Sequence, residues 1–506
     1  MTLPLHIDRS SDVSLQDQLF YQLRDLIVCG KLPANTRVIG TRFLAEQCGV
    51  SRTTVLITYE RLISEGYLET RPTVGTFVSA SAPKLDLNRA HQEAPAAAEP
   101  RQAVIHPSAI EPPARPTSPS PSMIDFRSEA PQPDHGLSGK DWLNRIRALF
   151  ASDGDLLNQE QPVIGLQSLR QALADYLAAT RGVRAAPEQI IVVSGRRQAC
   201  NLVSHLVLRR GERAVLESPG DPSIRAFFEA RGAEIECAEV DEYGLVTSQL
   251  PSGAASLAYV TPARQNPIGG TLSYARRREL LAWARAAGAY IIEEDCDSDF
   301  RYGAMPPPAL AALDVHGLVF HIGSFQRSLG SGFSIGYVVA PEEFVGSATA
   351  IQAMSDGMTG VLEQAVLAGL LADGGYDRHL NRLRKLYRER RDNLIGALSS
   401  NFGDVHLVGQ DLGLQLTWLL PETGPAAGLV ARQAWAQGVH VEPVLGDSRA
   451  SRFRDRALIL RYSALNPDEL RRGVGRLASA LTHCHNCLFS QGPAACHGSD
   501  DCVAAA

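Results

Sequence analysis

From Leu15 to Cys29 the apolar positions Leu15, Leu19, Leu23, Leu26 and Ile27 recur at helical spacing, and Gly30 with Pro33 stops the stripe. The next run, Arg42-Phe-Leu-Ala-Glu-Gln-Cys-Gly-Val-Ser-Arg-Thr-Thr-Val55, predicts a short helix, a turn at Gly49 and a second helix capped by Ser51. Gly66 to Val78 then reads as two short strands around a turn, a wing beside the helix pair. Helix, glycine turn and helix is the helix-turn-helix pattern, whose second helix puts its N-terminal residues into the DNA major groove. Taken alone, such a string reads equally well as a simple corner between two helices.

Between about Ser79 and Ser122 the periodicity disappears and Pro, Ala and Ser take over, with nine of the 30 prolines between Pro83 and Pro121. Such a segment buries too little surface to offset its ordering entropy, which predicts a semi-extended linker. Beyond it, roughly Met123 to Thr482, helical stripes alternate with short apolar runs. Leu169, Ala172, Leu173, Tyr176 and Leu177 predict a helix ending near Gly182, and Ile190–Val193, Ala214–Leu216, Leu257–Val260, Tyr290–Ile292 and Leu318–Ile322 predict buried strands. Several of these runs lead straight into polar or glycine-rich residues. That is the arrangement of a mostly parallel α/β sheet with its site beyond the strand ends. The expected boundaries are 1–79 for the DNA-binding head, 80–123 for the linker, 124–482 for the α/β unit with a small C-terminal α+β subdomain, and 483–506 for a tail.

A chain of 506 residues with 44% apolar content has room for two to four packed domains, which excludes fibrous and fully disordered classes. Net charge is −6, from 49 Lys+Arg against 55 Asp+Glu, so any DNA contact must be local. Even the head balances eight basic residues against eight acidic ones over 1–80, which predicts modest non-specific affinity and specificity resting on a dimeric site. No run of 18 apolar residues and no signal peptide is visible, so a soluble, cytoplasmic protein with reduced cysteines and no membrane partner is expected.

Residues from about Ser14 to Val78 resemble the winged helix-turn-helix of the GntR regulators through Leu44-Ala45, Gly49-Val-Ser-Arg-Thr-Thr-Val55, Tyr59-Glu-Arg-Leu62, Glu65-Gly-Tyr-Leu68 and Gly75-Thr-Phe-Val78. The resemblance implies DNA contacts from Arg42, from Ser51, Arg52, Thr53 and Thr54 in the turn that opens the second helix, and from Thr73, Gly75 and Thr76 at the wing tip. The chain departs from the family before the first arginine, where Ile39-Gly40-Thr41 replaces the usual Pro-Ser-Ser.

The large unit is similar to the fold-type I aminotransferases, a three-layer α/β fold, over about 350 residues. The motifs are Leu166–Leu177, Val193-Ser-Gly195, Glu217-Ser-Pro-Gly220, Thr261-Pro262, Gln265-Asn-Pro267, Asp297-Ser298, Phe300-Arg-Tyr302, Gly323-Ser-Phe325 and Gly336-Tyr337. Joined to a GntR-type head, it resembles the MocR-type regulators. That resemblance implies pyridoxal 5′-phosphate, an imine-forming lysine and a two-fold dimer. The imine lysine falls on Arg327, and arginine stays protonated and cannot form that linkage. The aspartate for the pyridine nitrogen falls on Glu294, or with a one-residue slip on Asp295, and the tyrosine two positions later on Cys296. The stacking aromatic falls on Asp221, the glutamine near the phosphate on Arg197 and the histidine before Gln265 on Arg264, while Asn266 keeps the type that touches the ring oxygen. The substrate-carboxylate arginine falls on Ile459, with Arg461 on the same strand face.

The 49 basic residues divide into 45 Arg and only four Lys, at positions 31, 84, 140 and 385, none near the motif. The expectation is therefore a transcriptional regulator whose aminotransferase-like domain neither binds the cofactor covalently nor transaminates. Its alternative is a regulator or aminotransferase using the cofactor non-covalently. Arg197, Arg264 and Arg327 would either receive an anionic effector or pair with Asp221 and Glu294 and close an empty pocket; both readings stand. Cys484, Cys487, Cys496 and Cys502, four of the nine cysteines, crowd into the last 23 residues, with His485 and His497 among them and His483 just before. They suit a zinc or iron–sulfur site, against an unstructured tail or a redox disulfide.

Overall fold

The computed structural model describes residues 3–9, 11, 13–82, 123–128, 136–152, 154–295, 297–303, 307–355, 359–444 and 453–491, the last seven of these as backbone only. Two compact units emerge, divided at Pro107 and Ser108. In the first, α1 (Leu15–Val28), α2 (Thr41–Cys48) and α3 (Arg52–Ser64) are followed by the antiparallel pair β1 (Leu68–Arg71) and β2 (Gly75–Val78). The expected stripe is the packed face: Leu19, Leu23 and Ile27 join Leu44, Val55, Leu62 and Leu68 in one core. Leu3 and Ala82 pack on the same core, so the head extends slightly beyond its expected end at residue 79.

The second unit opens with β3 (Ile124–Asp125), α4 (Gly139–Ser152), α5 (Gln167–Arg181), β4 (Ile190–Val193) and α6 (Arg196–Val207). It continues through β5 (Arg213–Ser218), α7 (Pro222–Ala230), β6 (Glu234–Asp241), β7 (Gly244–Leu245), β8 (Leu257–Val260), α8 (Tyr274–Ala287) and β9 (Tyr290–Glu294). Next come α9 (Leu310–Leu313), β10 (Val319–Ser324), α10 (Gln326–Leu329), β11 (Gly336–Val339), α11 (Val345–Ser355), α12 (Val361–Ala372) and α13 (Gly375–Phe402). The last elements are β12 (His406–Val408), β13 (Gln415–Leu419), α14 (Ala427–Ala436), β14 (Val439–His440), β15 (Glu442–Pro443), β16 (Ala457–Arg461) and α15 (Pro467–Gln491).

Eight strands form one sheet in the order β4-β11-β10-β9-β8-β5-β6-β7, parallel except for β11 and β7. Successive residues of a strand face opposite sides: Leu216 and Ile292 pack under α6 and α7, whereas Val215 and Ile291 pack under α8. Burial on both faces explains why these strands read as continuous apolar runs rather than alternating ones. A smaller antiparallel sheet, β12-β13-β16-β15, carries α14, against which α15 packs, and forms the C-terminal subdomain. α5 ends at Gly182, which adopts the left-handed conformation (φ +72°) that caps a helix cheaply only in glycine.

The expected tail boundary at 483 falls inside α15, which continues as helix to Gln491; Cys484 and Cys487 therefore sit on a helix rather than in a knuckle turn. Cys496 and Cys502, like the 83–122 part of the linker and Lys84, lie outside the described residues. Among the described residues no helix is long and apolar enough to cross a membrane.

Candidate functional site: a DNA-facing head and an ion-paired cleft

In the head, the Ser51 hydroxyl accepts the backbone N–H of Thr54 at 3.0 Å, capping α3 where the chain turns out of α2 through left-handed Gly49. Val55, Thr58, Tyr59 and Leu62 bury the inner face of α3. Arg52 and Thr53 are left exposed at its N-terminus, with Thr54 partly so. Arg42 on α2 is exposed as well, and the tip of the wing exposes Thr73 while Gly75 and Thr76 are half-buried. Thr73 (φ +63°) and Gly75 (φ +131°) make the tight reversal. Sequence reasoning missed Arg37. It bridges to Phe77 of the wing, is exposed, and stands so close to Gly75 that a Cβ there would lie 3.0 Å from its Nε. No motif marks it, because only strand pairing brings residue 37 to the wing.

In the large unit every site residue sits where a strand ends. β4 leads to Arg196, β5 to Asp221, β8 to Arg264 and Asn266, β9 to Glu294 and Asp295, and β10 to Arg327. This is the crevice beyond the carboxyl ends expected of a parallel sheet. The arginines do not face open space. Arg196 Nη1 contacts Asp221 Oδ2 at 2.6 Å and Glu294 Oε2 at 3.3 Å. It is Arg196, not the expected Arg197, that enters the cleft. Arg197 is exposed, because the helical step of about 100° at the start of α6 turns adjacent side chains to different faces.

Asp221, standing at the expected aromatic position, caps α7 instead: its Oδ1 accepts Ser223 N at 2.8 Å and Ser223 Oγ at 2.6 Å. Burial alone would raise its pKa, but Arg196 and the Ser223 donors outweigh that and hold it below the usual carboxylate range. Asp295 turns away to pair with buried Arg181. Burial opposes ionisation there too, and Arg181 overrides it.

Arg264 is 4% exposed. Its Nε donates to Leu412 O at 2.9 Å, its Nη2 to Gln415 O at 3.1 Å, and its Nη1 meets Asp297 Oδ2 at 3.4 Å. Glycines leave room for it: a Cβ on Gly413 (φ +90°) would come within 2.3 Å of Arg264 Nε. Arg327, at the start of α10, pairs with the other oxygen of Asp297. Three guanidiniums (Arg196, Arg264, Arg327) thus meet three carboxylates (Asp221, Glu294, Asp297). The space left between Arg264, Asn266, Glu294, Asp297 and Arg327 is about 20 Å3, enough for roughly one water.

Ile459 is buried in β16, and Arg461 is paired with Glu442 at 2.5 Å; neither lines the cleft. Cys296 lies outside the described residues. Lys31, Lys140 and Lys385 are all exposed and line no part of the cleft. Cys484 is half-buried with Sγ 4.0 Å from Leu429 O, and among the described residues no group of three or more His, Cys, Asp or Glu could hold a metal ion.

Residues 122–477 match the family described as aminotransferase class I and II, and residues 15–78 match bacterial regulatory proteins of the gntR family. The chain is 31% identical to the probable rhizopine catabolism regulatory protein MocR of Rhizobium meliloti, over 94% of this chain and 96% of that protein. It is 32% identical to the HTH-type transcriptional regulator TauR of Rhodobacter capsulatus, over 92% and 96% of the two chains. Among solved structures, the multiple substrate aminotransferase of Thermococcus profundus superposes with a TM-score of 0.66 at 24% identity, covering 72% of this chain and 93% of that one, which speaks to the fold. Head and large unit together match MocR along nearly its whole length, and the chain therefore belongs to the MocR-type family, in which a GntR-type winged helix-turn-helix is fused to an aminotransferase class I and II domain.

Proposed function

We propose that the protein is a sequence-specific, dimeric transcriptional regulator whose aminotransferase-like unit senses an effector and holds the dimer together, without transaminating. The reading of the head rests on the exposed, Ser51-capped N-terminus of α3 and the wing beside it. Relatives named as a regulatory protein, MocR, and as an HTH-type transcriptional regulator, TauR, support it.

The observation that carries the reading of the large unit is the ion-paired cleft. Pyridoxal 5′-phosphate requires an amine for its imine, an aromatic surface for its ring and space for a phosphate. In this chain Arg327 stands at the imine position committed to Asp297, Asp221 is a helix cap, and only about 20 Å3 is left between Arg264, Asn266, Glu294, Asp297 and Arg327. These residues do not fit the cofactor. Of the two readings of the arginines, mutual neutralisation within the cleft has the support of the ion pairs.

Three measurements on the full-length protein test the proposal. Added pyridoxal phosphate should give no imine absorbance and no turnover of an amino-acid panel. Fragments selected from genomic DNA should be bound with half-sites in two-fold repeat, and sedimentation should give a dimer. An imine band, or tight stoichiometric cofactor binding by calorimetry, would overturn the reading of the cleft.

A further inference from the structure

Beside the ion-paired cleft, and sharing Thr261 and Asn266 with it, a cavity of about 170 Å3 lies between α7 and the strands β5, β6 and β8. That is comparable with an apolar cavity of about 150 Å3 able to hold benzene. Leu216, Pro222, Ile224 and the ring of Tyr259 supply apolar wall, and Arg225 and Asn266 supply polar wall. Tyr259 is 4% exposed, and its hydroxyl has no hydrogen-bond partner among the described residues. The Asn266 backbone N–H donates to Thr261 Oγ1 at 3.0 Å, whereas its carboxamide makes no hydrogen bond among the described residues.

The acceptors around the cavity, in contrast, are committed. Glu217 accepts Thr261 Oγ1 at 2.6 Å, Thr261 N at 3.3 Å and Gln265 Nε2 at 3.2 Å, and Asp221 holds Arg196 and Ser223. The unmet hydrogen-bonding capacity of this wall is thus Tyr259 and Asn266, both able to donate, beside the Arg225 guanidinium, whose Nε pairs with Glu229 Oε1 at 2.9 Å and whose Nη1 reaches Cys237 Sγ at 3.3 Å.

We propose that this cavity, rather than the old cofactor cleft, is the effector site, and that it takes a compact monocarboxylate with an apolar body. The carboxylate meets Arg225, the Tyr259 hydroxyl and the Asn266 carboxamide, and the hydrocarbon part lies against Leu216, Pro222 and Ile224. Burial pushes the Glu217 carboxyl up to about 7, so below that pH Glu217 brings no full opposing charge to the ligand. The effector role rests on the reading of the large unit as a sensing domain; the binding site does not.

Calorimetric titration of the full-length protein with benzoate, and with toluene as its uncharged counterpart, tests the site. Benzoate should saturate at one per chain with a millimolar or lower Kd, and should slow alkylation of Cys237. Tyr259→Phe, which removes a single oxygen, should weaken benzoate binding roughly ten-fold, as expected for loss of a charge-assisted hydrogen bond, and leave toluene unaffected. Ile224→Trp, which fills the cavity, should abolish both. Failure of benzoate to saturate, equal affinity for toluene and benzoate, or full binding by Tyr259→Phe would overturn the proposal. Genomic-fragment binding is measured in parallel. Benzoate binding without any change in DNA affinity would keep the site and remove its sensing role.

Discussion

Asp297 is the residue on which the cleft turns. It is the carboxylate shared by Arg264 and Arg327, and Arg264 is buried. Removing one partner of a buried pair leaves an uncompensated charge, at a cost of about 3–5 kcal/mol. Asp297→Ala should lose stability on that scale, and Asp297→Asn less, as read by urea unfolding of the two variants. Glu217 gives a pH signature of opposite sense to an ordinary ion-paired carboxylate. Its folded pKa is raised from 4.5 to about 7 by burial, so between those values the folded state keeps a proton that the unfolded chain has released. Its contribution to stability is complete below about pH 4.5 and is lost as pH rises through 7. Glu217→Gln should flatten that decline, seen by comparing unfolding midpoints of the two proteins at pH 5 and pH 8. Both residues sit within aminotransferase-like motifs, yet their roles were not legible there: a lone Asp or Glu in sequence carries no sign of its partner.

At the scale of elements, the loop before β13 and the helix α3 each make a checkable demand. Gly413 holds φ +90° and leaves no room for a Cβ beside Arg264. Gly413→Ala should therefore cost at least the ~1–3 kcal/mol of a strained backbone position and displace the Arg264 guanidinium; thermal unfolding and accessibility of the cleft to small anions report on the two effects. In α3, Arg52 stands exposed in the first turn after Ser51. Arg52→Ala should cost about 1–3 kcal/mol of operator affinity if it reads a base, and lower the salt slope by about one if it holds a phosphate. Fluorescence anisotropy over a salt series separates the two. Element positions were largely legible: β4 and β8 match their expected runs, and α5 ends at Gly182 as its glycine signals. Local signals sufficed there, since burial on both faces and helix capping leave their mark within a few residues. The Asp221 cap of α7 is a local signal too, as Asp-Pro-Ser is a helix-start signature.

At the scale of the whole molecule, the hydrophobic core of the head, drawn from Leu3 to Ala82, shares no residue with the core clusters of the large unit, which begin at Ile124. Separate cores imply separate cooperative transitions. Calorimetry of the full chain should show two, and the fragment 1–82 should reproduce the one assigned to the head; a single transition unchanged by removing the head would contradict this. The sequence by itself determined the two-part architecture, the winged head, the order of strands along the chain and the arginine at position 327, because periodicity, capping and motif spacing are local properties. Tertiary structure alone decided which arginine enters the cleft, that Asp297 neutralises two of them, that Arg37 stands at the wing, and that the larger cavity lies beneath α7. Each of these depends on groups distant along the chain, and charge compensation and empty volume are properties of that assembled neighbourhood.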